Sequence, residues 1–137
     1  MSDEGGFTLI ELLVVILIVG ILAAIAIPAF LNQTSKANDA AAKTQVGTMQ
    51  TTEETCANEN SGSYAGCDLA KLQEIEPTLK DTSTATASVV KTETEGFEVK
   101  SVAKGSTDEY TLTNNKGELT RKCAPAGKGG CSASGTW

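Results

Sequence analysis

Two sets of residues have the types and spacing to do chemistry. The first is a lone carboxylate. Between Phe7 and Leu31 the only polar side chains are Thr8 and Glu11, and no charge follows Glu11 until Lys36. A carboxylate in such surroundings needs a counter-charge, because an unpaired one is expensive in an apolar medium. The second set is four cysteines, Cys56, Cys67, Cys123 and Cys131. Four thiols allow three disulfide connectivities, and the spacing favours the local pairs Cys56–Cys67 and Cys123–Cys131. Each would close a short loop and stabilise by roughly 2.5–3 kcal/mol on a chain-entropy account. Zinc is disfavoured because no tight C-x₂-C pair is present. Disulfides imply an oxidising compartment, hence export.

Other chemistry lacks its parts. There is no histidine, so the usual general base and commonest zinc ligand are missing. The neighbouring acids Glu53–Glu54, Glu74/Glu76 and Asp108–Glu109 read as solvated faces, although Asp108 with nearby oxygens could bind calcium weakly. The Ser/Thr-rich stretch from Thr82 to Ser88 is compatible with glycosylation. The net charge of −6, with no Lys/Arg cluster, argues against a direct nucleic-acid site. The expectation is a protein that is not an enzyme and needs no cofactor or metal.

These residues must be positioned by a helix long enough for a membrane. The 25 residues from Phe7 to Leu31 would span about 37 Å as a helix, against a hydrocarbon core of about 30 Å. A secretory signal peptide would have a basic start and a shorter apolar core; here the start is "MSDEGG". An ordinary single-span anchor remains an alternative. The small residues Gly20, Ala23, Ala24, Ala26 and Ala29 permit close helix–helix approach in an apolar medium. Pro28 removes a backbone donor, so a kink or melted stretch is expected between Gly20 and Pro28.

One helix is predicted from about Thr8 to about Ala57, its second half carrying Ala37, Ala41, Val46 and Met49 at helical spacing. "NENSGSYAG" reads as loop, and "CDLAKLQEIEP" as a short helix capped by Asp68 and ended by Pro77. "DTSTATA" reads as a polar connector. "SVVKTE", "FEVKSV", "EYTLTN" and "ELTRKC" alternate partially and are linked by turn residues, which predicts an antiparallel sheet of three or four strands. Its apolar face would hold Val89, Phe97, Val99, Tyr110, Leu112 and Leu119. "APAGKGG" and "SASGT" read as flexible polar loop.

The stretch Gly6-Phe7-Thr8-Leu9-Ile10-Glu11-Leu12, with the apolar helix ending "GILAAIAIP" at Pro28, resembles the type IV pilin family. The resemblance covers about a fifth of the chain residue by residue. It implies an α+β fold in which a long N-terminal helix packs on a small antiparallel sheet, stabilised by disulfides. It implies a leader over residues 1–6, a hydrophobic transmembrane and assembly half over 7–34, and a globular head over 35–137. The bond after Gly6 would be cut by a prepilin peptidase, and Phe7 would become the N-methylated first residue. Glu11 would pair with the Phe7 amine of a neighbouring subunit, driving head-to-tail addition that does not close and so builds a helical filament. The implied partners are further copies of the chain, the peptidase, the pilus assembly machinery and, before assembly, the membrane. The implied location is the cytoplasmic membrane as a single-pass protein, then an extracellular pilus or fimbrium serving adhesion, motility, DNA uptake or biofilm. A pseudopilin of a type II-like secretion system shares the motif and is the alternative; the two disulfide pairs and short leader favour the pilus. Family leaders usually carry Lys or Arg. This one has Asp3 and Glu4, while Lys36 and Lys43 lie on the far side of the apolar run. The positive-inside rule alone would therefore keep the head inside, against motif and cysteines, unless a basic segment precedes Met1.

Overall fold

The structure, a computed structural model, describes residues 6–137; residues 1–5 of the expected leader lie outside the described residues. Helix α1 runs Leu9–Glu59. A short helix α2 spans Leu69–Ile75, a 3-10 turn spans Pro77–Lys80, and four strands follow: β1 Ala85–Glu93, β2 Gly96–Ala103, β3 Glu109–Asn115 and β4 Glu118–Ala124. The chain divides into two compact units, one ending at Thr34 and one from Ser35 to Trp137.

In the first unit α1 holds an apolar window long enough to cross a membrane, with none of it buried. Leu9, Ile10, Ile16, Leu17, Ile25 and Phe30 are all exposed. A helix apolar on every side has no solvent face to offer, which suits lipid or sister helices. The helix stays α-helical through Gly20 and Pro28, so no melted stretch separates them.

In the second unit α1 is amphipathic. Its buried positions are Asp39, Ala42, Val46, Met49, Thr52, Glu53, Cys56 and Ala57. The predicted stripe was displaced at its start: Ala37 is exposed and Ala41 only half-buried, whereas Asp39 and Ala42 face the core. In "KANDAAAK" the apolar residues are all alanine, so composition does not tell which face turns inward. The sheet is a meander of order β1-β2-β3-β4, antiparallel throughout. Register places Phe97 opposite Asn114, Val99 opposite Leu112 and Ser101 opposite Tyr110. All six are buried beneath the helix. Ser101 donates to Gln45 Oε1 at 2.6 Å, and Gln45 Nε2 donates to the Ala85 carbonyl at 3.4 Å, so polar pairs also join helix to sheet.

The edges depart from expectation. β1 begins at Ala85, inside the expected connector, because Ala85 and Ala87 are small enough to bury in the core. A register shift between Val89 and Lys91 leaves Val90 exposed and Val89 half-buried. Leu119 pairs with Asn114 but is 44% exposed; β4 is the edge strand, and Leu119 lies beyond what the helix covers. Asp68 caps α2 by accepting from Lys71 N–H at 3.0 Å. Pro77 lies past the end of α2 and opens the 3-10 turn, where its missing N–H costs nothing. Gly96 is required by space: a Cβ there would collide with the Asn114 carbonyl oxygen.

Disulfides join Cys56 to Cys67 and Cys123 to Cys131, with Cα atoms 6.1 and 5.6 Å apart. The first ties the end of α1 to the loop before α2. The second closes the C-terminal loop, which is strapped down rather than loose. Cys123 N–H donates to the Gly135 carbonyl at 2.8 Å, and Trp137 Nε1–H to that of Lys122 at 3.2 Å. The Trp137 ring meets Tyr110 edge-on at 5.8 Å.

Candidate functional site

The start of α1 is built by two residues acting on each other. Thr8 precedes the first helical residue, and its Oγ1 accepts from Glu11 N–H at 3.2 Å. The Glu11 carboxylate reaches back and accepts from Thr8 N–H at 2.9 Å. This T-x-x-E arrangement is a capping box, satisfying two of the donors that every helix leaves free at its N-terminus. The carboxylate also sits at the positive end of the helix dipole. Glu11 is therefore held by a local contact with Thr8 within its own chain.

That contact occupies one carboxylate oxygen, and the rest of the side chain is exposed. Phe7 is 87% exposed and lies outside the helix, as does Gly6, so the backbone between them is accessible. Phe7, Ile10, Glu11, Val14 and Val15 line an open, mostly apolar groove. The arrangement offers one anionic oxygen in an otherwise apolar surface, next to the junction that would free an amine. Phe7 and Glu11 share this groove; Gly20 and Pro28 lie further along α1, and the four cysteines belong to the other unit.

Sequence reasoning missed the buried acids of the second unit. Glu53 is fully buried, and neither carboxylate oxygen has a hydrogen-bond partner. Burial, and secondarily the charge of Asp68, push its carboxyl up to about 8. Asp39 and Asp108 are also buried. The adjacent acids were expected on solvated faces, and for Glu53 and Asp108 that is overturned. The signal for Glu53 is its position: it continues the 46/49/53/56 stripe of α1. For calcium at Asp108, no cluster of three or more His, Cys, Asp or Glu able to hold a metal occurs among the described residues.

Comparison with known proteins converges on the same N-terminal segment. Residues 1–27 match the prokaryotic N-terminal methylation motif. The chain is 38% identical over 89 residues to the type IV major fimbrial protein FimA of Dichelobacter nodosus, covering 63% of this chain and 57% of that protein. The chain is thus similar to type IV pilins, most specifically over its N-terminal segment. A fimbrial protein of Pseudomonas aeruginosa is 44% identical to this chain over 54 residues, or 39% of this chain and 35% of that one. Fimbrial protein Q of Moraxella bovis is 61% identical over 36 residues, covering 26% and 23%. The chain thus spans little more than half the length of the first of these relatives, and less of the others. No solved structure matches it. The α+β architecture, with its long apolar helix, four-stranded antiparallel sheet and two disulfides, is that of a pilin.

Proposed function

We propose that this protein is a type IV pilin, a structural subunit of a type IV pilus filament at the cell surface. The observation that carries the reading is the groove at the start of α1: an apolar, exposed first stretch of the helix whose one carboxylate stands beside Phe7. A prepilin peptidase cuts after Gly6, and methylated Phe7 becomes the first residue. The subunit waits in the cytoplasmic membrane, then leaves it when the assembly machinery adds it to the filament. The incoming Phe7 amine, cationic at neutral pH, meets Glu11 of a neighbouring copy. In apolar surroundings that pair is favoured over two unpaired charges. The capping box does not compete, because Thr8 N–H occupies one oxygen and leaves the other free. Gly20 and Pro28 are the points where α1 bends or locally melts if filament packing demands it. Adhesion, motility, DNA uptake or biofilm formation would follow from the filament's surface. The fimbrial identity of the relatives supports a pilus over a secretion pseudopilin.

Mass spectrometry of sheared surface filaments, viewed in parallel by electron microscopy, tests this. The expected subunit begins at N-methylated Phe7 and lacks residues 1–6. A filament subunit that retains Met1, or a processed chain found only in the membrane with no filaments, would overturn the reading.

A further inference from the structure

Three segments of the head meet at two buried carboxylates. Asp39 comes from α1, Asp108 from the turn before β3, and the third segment is the Cys123–Cys131 loop. Both acids are nearly inaccessible, at 2% and 5% exposure. Their carboxyl groups are within hydrogen-bonding reach of each other. Ser106 Oγ–H donates to Asp39 Oδ1 at 2.6 Å and accepts from Asp108 N–H at 3.3 Å. Gly130 N–H donates to Asp39 Oδ2 at 3.3 Å. At Gly129 the backbone has φ +56° and comes so close that a Cβ would collide with both carboxylates. Tyr110, itself fully buried, holds its hydroxyl beside Asp39 and Gly130 yet completes no well-aligned hydrogen bond. The site is therefore one polar partner short.

Two ionised carboxylates cannot share such a space without strong repulsion, so a proton or a cation must lie between them. The surroundings choose the proton. Asp39 already accepts from a hydroxyl and a backbone N–H. The Lys43 ammonium lies 5.6 Å from the Tyr110 ring centroid, and Lys128 is near enough to favour the ionised form of Asp108. A metal ion would have to enter among donors and ammonium groups. The charged and titratable groups facing the pair are thus Lys43 from α1, Tyr110 from β3 and Lys128 from the loop.

We propose that Asp39 and Asp108 are a proton-sharing latch that fastens the C-terminal disulfide loop to α1 while the proton is present and loosens it when the proton leaves. In the closed form Asp108 donates its carboxyl proton to the Asp39 carboxylate. On opening, that proton passes to solvent and two like charges remain under Gly129. Movement is confined to the apex between Pro125 and Gly130, because the disulfide and the Cys123 N–H to Gly135 bond hold its base. The sign follows from Asp108: burial first, then the bond and charge of Asp39, push its carboxyl up to about 6. The proton is held below that value and lost above it, so the loop is fastened in mild acid and loosened at neutral to alkaline pH.

The test is hydrogen exchange of the full chain in detergent micelles, at about pH 5 and about pH 8, corrected for base catalysis. Protection of the Gly130 amide, which donates to Asp39, relative to those of β2 and β3 should fall by about tenfold or more at the higher pH. Asp108→Asn, which keeps a neutral donor, should make loop protection independent of pH. A Glu53→Gln background should leave the wild-type response intact, separating it from the other buried acid. If a variant does not fold, the wild-type infrared spectrum still decides: one protonated carboxyl component should persist above the usual aspartate range and vanish near pH 6, while a second, from Glu53, persists to about pH 8. Equal loop protection at both pH values, the same fall in Asp108→Asn, or protection at high pH that returns only with added calcium would each overturn the latch.

Discussion

Glu11 and Glu53 stand on one helix and differ in almost everything else. Glu11 lies in the exposed apolar unit, where Thr8 holds it by two short reciprocal bonds. Glu53 lies in the head, inaccessible to solvent and bonded to nothing. Within the chain alone, the locally satisfied carboxylate is the one with an apolar surface around it and no partner subunit, and the unsatisfied one is deep in a finished core. The lesson is that burial within a subunit and burial within an assembly make different demands. A residue destined for a filament interior must be tolerable while exposed. A residue already in the core relieves its charge by keeping a proton.

The largest effect should come from removing the assembly acid. Glu11→Ala should leave leader cleavage and membrane insertion intact and reduce sheared filaments to near none, since a buried amine without its counter-charge costs several kcal/mol. Glu11→Gln, neutral but able to hydrogen-bond, should give an intermediate yield. Normal filament yield from Glu11→Ala with normal processing would remove Glu11 from assembly and leave it a helix cap.

Next comes the contrast between the two halves of α1. Met49 is fully buried, and Met49→Ala should cost about 2–5 kcal/mol of head stability in chemical denaturation. Leu13, half exposed in the other unit, should leave the head midpoint unchanged when truncated to alanine. Equal losses would mean that the apolar half contributes to the folding of the head.

Glu53 gives a pH-dependent effect. Its carboxyl at about 8 lies above the ordinary 4.5. The folded head then holds a proton that the unfolded chain has released, so this group makes stability fall as pH rises between those values and level off above the higher one. Glu53→Gln should flatten that dependence and raise the melting temperature near neutral pH by roughly 5 °C or more. A variant that melts lower at all pH values would show that Glu53 has a partner in the folded protein.

The smallest effect concerns the cap. Thr8→Ala removes half of the capping box, worth about 1 kcal/mol. It should fray the first turn without greatly changing filament yield, because the Glu11 carboxylate remains. A loss as severe as that of Glu11→Ala would make the cap, and not the counter-charge, the function of this site.

Much of this was legible in the sequence. The four strands, the Asp68 cap and the span of α1 follow from period changes and turn residues, which are local signals. The T-x-x-E spacing at Thr8 and Glu11 was legible too, but one spacing suits both a cap and an intermolecular pair. What was hidden depends on tertiary surroundings. Asp39, Glu53 and Asp108 carry no mark that distinguishes a buried acid from a solvated one. Leu119 looked like core because it alternates correctly, yet being on an edge strand decides its exposure. The meeting of Asp39 with Gly130, ninety-one positions later, is set by packing alone.

The strand order carries a consequence for the timing of folding. Every strand of the sheet pairs with the one that precedes or follows it in the chain. If the head is drawn through a membrane from its helix outward, each strand meets a partner already delivered, and none waits for a distant segment. Closing only short loops keeps the entropic barrier low and the exposure of unpaired edges brief. Seating the C-terminal loop against Asp39 reaches back furthest along the chain, ninety-one positions, so it follows the pairing of the four strands.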